Sequence, residues 1–199
     1  MSPEGIERLL KGVQAGRVTV EDAVQRMRTL PFEDLGFASL DHHRSLRQGF
    51  PEVLLCEGKT AKQSVAIARS LIKKGGPFLA TRAEPVIAKA ILKLDRRARY
   101  HADARIVAID GKPARRAGHI LVLTAGTADV PVAEEARVTA EVMGSHVETL
   151  YDVGVAGLHR LLGRKDRLFE ARVAIVVAGM DGVLPSVVGG LVDCPVVAV

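Results

Sequence analysis

The sequence predicts an α/β protein: a three-layer αβα domain on a parallel sheet, preceded by a smaller α/β domain and an N-terminal helical hairpin. Three observations lead there. From Pro51 onward, short apolar runs alternate with segments of helical periodicity, the pattern of strand–helix–strand crossover units. Runs such as VAIVVAG are apolar throughout rather than at every second residue, so both of their faces must be covered. Finally, 199 residues with 48% hydrophobic content allow one large domain or two small ones with a packed core, and argue against disorder.

The elements follow in order. GIERLLKGVQAG and TVEDAVQRMRTL place Ile6, Leu9, Leu10 and Val13, then Val20, Ala23, Val24 and Met27, at helical spacing, giving a hairpin over residues 1–38. Thr19 is placed to cap the second helix, with Asp22 in a capping-box-like position, and Pro31 ends it. An N-terminal α/β domain over 39–117 then reads as strand VLLCEG, helix KTAKQSVAIARSLIKK closed by Gly75–Gly76, strand FLATR, helix EPVIAKAILKLD and strand ARIVAID. GKPARRAGH is a turn-rich basic link. The last domain, 118–199, runs strand ILVLTAG, helix PVAEEARVTAEVMG, strand HVETLYD, short helix GVAGLHRLLG, strand RVAIVVAG, helix LPSVVGGLV and strand CPVVAV.

Charge divides the chain. Residues 1–119 hold 22 Lys+Arg against 13 Asp+Glu, a balance of +9, and residues 120–199 hold 6 against 10, a balance of −4, which together give +5. The stretch KLDRRARYHADARIVAIDGKPARR has the charge to bind nucleic acid, but no base-stacking aromatics interleave its basic residues. A solvated surface that draws in an anionic small molecule is the simpler reading. The apolar stretches are far shorter than a bilayer crossing, so no membrane partner is expected. MSPEGIERLLKGVQ carries acids where a signal peptide is basic and then apolar, and Cys56 and Cys194 make no disulfide framework. A cytoplasmic protein is predicted.

Ligands of open parallel sheets collect beyond the carboxyl ends of the strands, and three loops fall there. Gly126-Thr127-Ala128-Asp129 stands between an apolar strand and Pro131, at a helix start whose free amides favour a phosphate or carboxylate. The competing reading is that Thr127 or Asp129 merely caps the helix, worth about 1 kcal/mol. Asp152 to Arg160, DVGVAGLHR, combines small residues that admit a ligand to the backbone with His159, a proton carrier or cap partner, and the planar fork of Arg160. Ala178 to Pro185, AGMDGVLP, offers Asp181 either as a Mg²⁺ ligand or as a turn aspartate. Glu134 and Glu135, further into the helix after Pro131, are expected on its solvent side.

Two other stretches are weaker. Glu57-Gly58-Lys59-Thr60 looks like the end of a P-loop, but Val53 stands where the first glycine belongs; Lys59 and Thr60 remain candidates for phosphate at a helix start. Asp41-His42-His43 looks like a metal cluster or phosphoesterase motif without the additional aspartate motifs such sites need. Arg44 and Arg47, spaced by three, with Glu52 beyond a Gly-Phe-Pro turn, are better binding candidates.

TAGTADVPVAEEA, YDVGVAGLHRLL and VVAGMDGVLPSVVGG, in that order, closely resemble the LarB family, which makes the first intermediate of the nickel-pincer nucleotide cofactor. The family's C-terminal half is related to the PurE-type carboxylases of purine synthesis. DHHRSLRQGFPEVLLCEGKT resembles its N-terminal domain, so the likeness covers roughly residues 35–199. The resemblance implies a PurE/flavodoxin-like layer and a carboxylase–hydrolase acting on nicotinic acid adenine dinucleotide. CO₂, or bicarbonate as its source, would be added at C5 of the pyridinium ring. The phosphoanhydride would be cleaved, giving pyridinium-3,5-biscarboxylic acid mononucleotide and AMP.

With this resemblance Asp181 is expected to contact Mg²⁺ or substrate, His159 and Asp181 are the catalytic candidates, and relatives with the PurE-like core imply a homo-octamer. Gly126, Thr127, Asp129, Arg160, Gly179, Met180, Leu184 and Pro185 would line the substrate pocket, with Thr127, Asp129, His159 and Arg160 on phosphate or ribose. Arg44, Arg47, Lys59 and Thr60 would serve the adenylate or anhydride end. Two departures matter. PurE-type enzymes carry histidine in the turn where this chain has Val183, which disfavours aminoimidazole ribonucleotide as substrate. The family continues past a strand like CPVVAV, and the cysteine that adds to the pyridinium ring lies in that later part, so that nucleophile is expected to be absent from this sequence. Cys56 and Cys194 sit in apolar strand contexts, where burial raises a thiol pKa, and are poor substitutes. The rivals are a purine-pathway carboxylase or mutase and a non-catalytic nucleotide- or nucleic-acid-binding protein.

Overall fold

The computed structural model describes residues 3–28, 32–111 and 117–199; Pro31 and residues 112–116 of the basic link lie outside the described residues. The described residues fall into two compact units, one within Met1–Tyr100 and Val107–Lys112, the other within His101–Ile106 and Pro113–Val199. Among the described residues no helix is long and apolar enough to cross a membrane.

The first unit opens with α1 (Pro3–Gln14) and α2 (Val20–Arg28), whose apolar positions include the buried Leu9 and Ala23. The Asp22 amide donates to Thr19 Oγ1 at 3.1 Å, the cap that the Thr-x-x-Asp spacing predicts. β1 (Glu33–Asp34) and β2 (Ser39–Leu40) form a small antiparallel pair, and α3 (Arg44–Gln48) follows. β3 (Leu54–Leu55), α4 (Ala61–Lys73), β4 (Phe78–Thr81), α5 (Pro85–Leu92), β5 (Arg99–His101) and β6 (Ile106–Ile109) come next, with sheet order β3-β4-β6-β5.

This sheet corrects the expectation of a wholly parallel arrangement. β3 and β4 are parallel, but β6 runs antiparallel to β4. The cause is β5, which the basic run RRARYH conceals: an extra strand between α5 and β6, joined to β6 by the turn at 102–105, reverses the chain before ARIVAID enters the sheet. VLLCEG is also cut short. Its ladder covers only Leu54–Leu55, because Gly58, at φ +75°, turns the chain toward α4.

In the second unit β7 (Ala117–Thr124), α6 (Val130–Val142), β8 (Ser145–Leu150), α7 (Leu158–Leu162), α8 (Lys165–Glu170), β9 (Val173–Val177), α9 (Leu184–Gly189) and β10 (Val196–Ala198) build a four-stranded sheet of order β10-β9-β7-β8. Every pairing in it is parallel. Successive strand residues point to opposite faces, and the core follows that alternation. Leu121, Leu123, Ala174 and Val176 pack with Leu161, Leu168, Leu184 and Val188 from α7, α8 and α9. Val122 and Val177 pack on the other side with Ala133 of α6 and the part-buried Ile120 and Ile175. Both faces are therefore covered, as continuous apolar strands require. The helix α8 was not legible in RKDRLFE, which has little apolar periodicity; its one fully buried anchor is Leu168.

Candidate functional site

The parallel pairing of β8, β7 and β9 places their following loops on one edge of the sheet. Hydrogen bonds then draw the loops together. Thr124, fully buried at the end of β7, accepts from the Val153 amide through its carbonyl at 2.9 Å and from the Asp152 amide through Oγ1, also at 2.9 Å. Gly154 lies so close that a Cβ there would stand 2.6 Å from the Ala125 carbonyl oxygen. On the other flank, Asp129 Oδ2 accepts from the Gly126 amide at 2.9 Å and Oδ1 from the Gly179 amide at 3.0 Å. One carboxylate thus ties the loop after β7 to the loop after β9.

These bonds divide the rim into committed and open groups. Each oxygen of Asp129 accepts from one amide, so its carboxylate braces the loops that follow β7 and β9. Arg160, on α7, donates to Asp152 Oδ2 at 2.6 Å, so its fork faces an acid within its own loop. By contrast, Thr127, His159 and Asp181 are exposed, and their side chains make no hydrogen bond or ion pair among the described residues. Met180 stands 86% exposed beside Asp181, whereas Leu184 is buried in the core and Pro185 half-buried in the first turn of α9. Leu184 is thereby a packing residue rather than a pocket wall.

Two aspartates of the rim hold left-handed backbone, Asp152 at φ +58° and Asp181 at φ +67°. Such conformations cost a non-glycine residue roughly 1–2 kcal/mol and gather at functional sites. The single open carboxylate of Asp181 suits Mg²⁺, which takes one or two carboxylates and completes its shell with water and phosphate oxygens.

Glu134 departs from its expected solvent-facing position. It accepts from Arg137 Nη2 at 2.7 Å and from the Tyr151 hydroxyl, joining α6 to the residue that follows β8. The Arg137 hydrogen bond, more than the opposing burial, holds the Glu134 carboxyl below its ordinary range, with the Tyr151 bond adding to it. Burial, followed by the Glu134 bond, pushes the Tyr151 phenol up. Thr124, Tyr151 and the bracing role of Asp152 were missed in the sequence. Their only signals are polar residues at the carboxyl ends of apolar runs.

The first-unit candidates are largely engaged locally. Thr60 caps α4 in a full capping box: its Oγ1 accepts from the Gln63 amide at 3.2 Å, and Gln63 Oε1 accepts from the Thr60 amide at 3.0 Å. Lys59 is half-buried just before it. Arg44 Nε donates to Gln48 at 2.8 Å, and Arg47 pairs with Asp41 at 2.5 Å, a contact that lowers the Asp41 carboxyl. His42 is 7% exposed, its Nε2 lying 2.8 Å from Glu33 Oε2, and Glu52 accepts from the Asp41 amide at 2.6 Å. Asp41-His42-His43 is accordingly a structural knot, beside a cavity of about 60 Å³ that Asp41, His42, Glu52 and Lys74 help to line. Cys56 is 1% exposed, and burial pushes its thiol up; Cys194 is half-buried before β10.

Comparison with known proteins matches residues 32–112 to the LarB/PurE-like N-terminal domain. An uncharacterized protein of Methanocaldococcus jannaschii is 36% identical over 206 residues, covering 98% of this chain and 80% of that protein. With that domain matched and a relative aligned across nearly its whole length, the chain belongs to the LarB-like family.

Proposed function

We propose that the rim binds nicotinic acid adenine dinucleotide and that the protein carboxylates its pyridinium ring at C5 and cleaves its phosphoanhydride, yielding pyridinium-3,5-biscarboxylic acid mononucleotide and AMP. Membership of the family supports a carboxylase-type enzyme of LarB or PurE kind. The observation that carries the finer reading is the braced rim: three loops tied by Thr124, Gly154 and Asp129, leaving Thr127, His159 and Asp181 open together on one sheet edge.

Each open group has a task in this reading. The Thr127 hydroxyl donates to a phosphate or to the ring carboxylate. Asp181 would hold Mg²⁺, which would supply positive charge to the anhydride phosphates. His159 carries the proton released when the ring is restored. Arg160 serves phosphate through the nitrogens not bound to Asp152. The pyridinium ring is electron-poor and does not attack CO₂ unaided. Thiolate addition makes it an enamine nucleophilic at C5; after carboxylation, loss of the C5 proton and expulsion of the thiolate restore aromaticity. Cys56, buried with its thiol pushed up, is unsuited to this. Assembly as a homo-octamer belongs to the same proposal.

The test is incubation of the protein with the dinucleotide, bicarbonate and Mg²⁺, followed by mass spectrometry. Carboxylated mononucleotide and AMP in equal amounts are expected. Turnover of aminoimidazole ribonucleotide instead would favour the PurE-type reading, against which Val183 stands in the turn where those enzymes carry histidine. Absence of any product refutes both.

A further inference from the structure

We propose that His119, His146 and Glu148 form a binding site for a divalent first-row transition ion of the zinc type, separate from the nucleotide rim. These residues lie at the opposite ends of the strands: His119 near the start of β7, His146 and Glu148 near the start of β8. From His119 to Ala125, at about 3.3 Å per residue, the separation from the rim is about 20 Å.

The backbone brings them together. His146 and Glu148 are two apart on a strand and so share a face. On β7 the register steps from Ala117↔Ser145 to Ile120↔Val147, three residues against two, with Gly118 at φ +73°. This extra residue is a bulge, a device that re-aims a side chain. It sets His119 against the other two: the ligand atoms of all three lie within 4.8 Å of one another.

Their spacing fits coordination better than hydrogen bonding. His119 Nδ1 lies 3.0 Å from the Glu170 carbonyl oxygen, which can only accept, so Nδ1 donates there and Nε2 is the ring atom turned toward Glu148. Among the described residues that Nε2 is buried without a hydrogen-bond partner, 3.5 Å from Glu148 Oε1. The 3.5 Å between Nε2 and Oε1 is the separation of two ligands on one ion. Ligand atoms about 2.0–2.1 Å from a tetrahedral zinc lie roughly 3.4 Å apart. His146 Nε2, 3.9 Å from the same oxygen, sits on an exposed ring free to close the remaining gap. A ligand histidine that donates its other N–H to a backbone carbonyl is the usual second-shell arrangement. Two imidazoles and one carboxylate suit zinc or cobalt rather than Mg²⁺ or Ca²⁺, and leave a coordination position for water.

The test uses the full chain stripped with chelator, titrated calorimetrically with Zn²⁺ and by visible absorption with Co²⁺. One ion per chain and a Co²⁺ d–d spectrum of low coordination number are expected, with affinity reduced at least about tenfold in both His146→Ala and Glu148→Gln and retained in Asp181→Asn. His146 is exposed, so its loss leaves folding intact and carries the test if His119→Ala disturbs the bulge. Failure of the chain to take up either ion, or uptake unchanged in both variants, overturns the site. So does uptake lost in Asp181→Asn but kept in His146→Ala, which would place the ion on the rim.

Discussion

At the scale of single residues, the rim depends on close approach more than on charge. Gly154 has an ordinary φ of −58°, so its need for glycine comes from the Ala125 carbonyl 2.6 Å from where a Cβ would be. Gly154→Ala must push the two loops apart, at a cost of about 1–3 kcal/mol. Chemical denaturation should show that loss, and dinucleotide affinity should fall with it. Asp181 is the opposite case. At φ +67°, Asp181→Asn keeps a side chain tolerant of left-handed backbone while removing the charge, so stability should hold within about 0.5 kcal/mol while Mg²⁺-dependent binding is lost. Which residues would be open was not legible in the sequence. Thr127, Asp129, Arg160 and Asp181 all look alike as candidates there, and only the hydrogen bonds separate the braced Asp129 and the paired Arg160 from the two that remain available.

At the scale of elements, side-chain bonds fix where helices begin and how they meet the sheet. Thr60→Ala removes the α4 cap and should cost about 1 kcal/mol, read as a shift in urea midpoint. Glu134 ties α6 to Tyr151. Its native carboxyl lies below its ordinary value, so the bond stabilises fully above the ordinary carboxylate range and is lost as pH falls through the lowered native value. Glu134→Gln should therefore be less stable than the parent by about 1 kcal/mol at neutral pH, the part-exposed pair being screened, and the gap should shrink at a pH well below the ordinary carboxylate range. Unfolding curves at both pH values check the sign. Continuous apolar runs made β7, β9 and their covering helices legible, whereas β5 was hidden because a short strand of Arg, Tyr and His has neither alternation nor an apolar run. Its omission is what turned an antiparallel neighbour into an expected parallel one.

At the scale of the molecule, the second unit's sheet is fixed by parallel pairing and two-sided cover, and its rim follows from strand direction alone. That much was legible, because each loop follows an apolar strand and precedes a helix start. Light scattering should find eight chains per particle if the proposed homo-octamer forms. The most direct measurement is calorimetric titration of this chain with nicotinic acid adenine dinucleotide and Mg²⁺, in parallel with Thr127→Ala, Asp181→Asn and His146→Ala. Saturable binding weakened about tenfold or more by the first two and unchanged by the third is the expected result, and no binding, or binding indifferent to both rim substitutions, would contradict it.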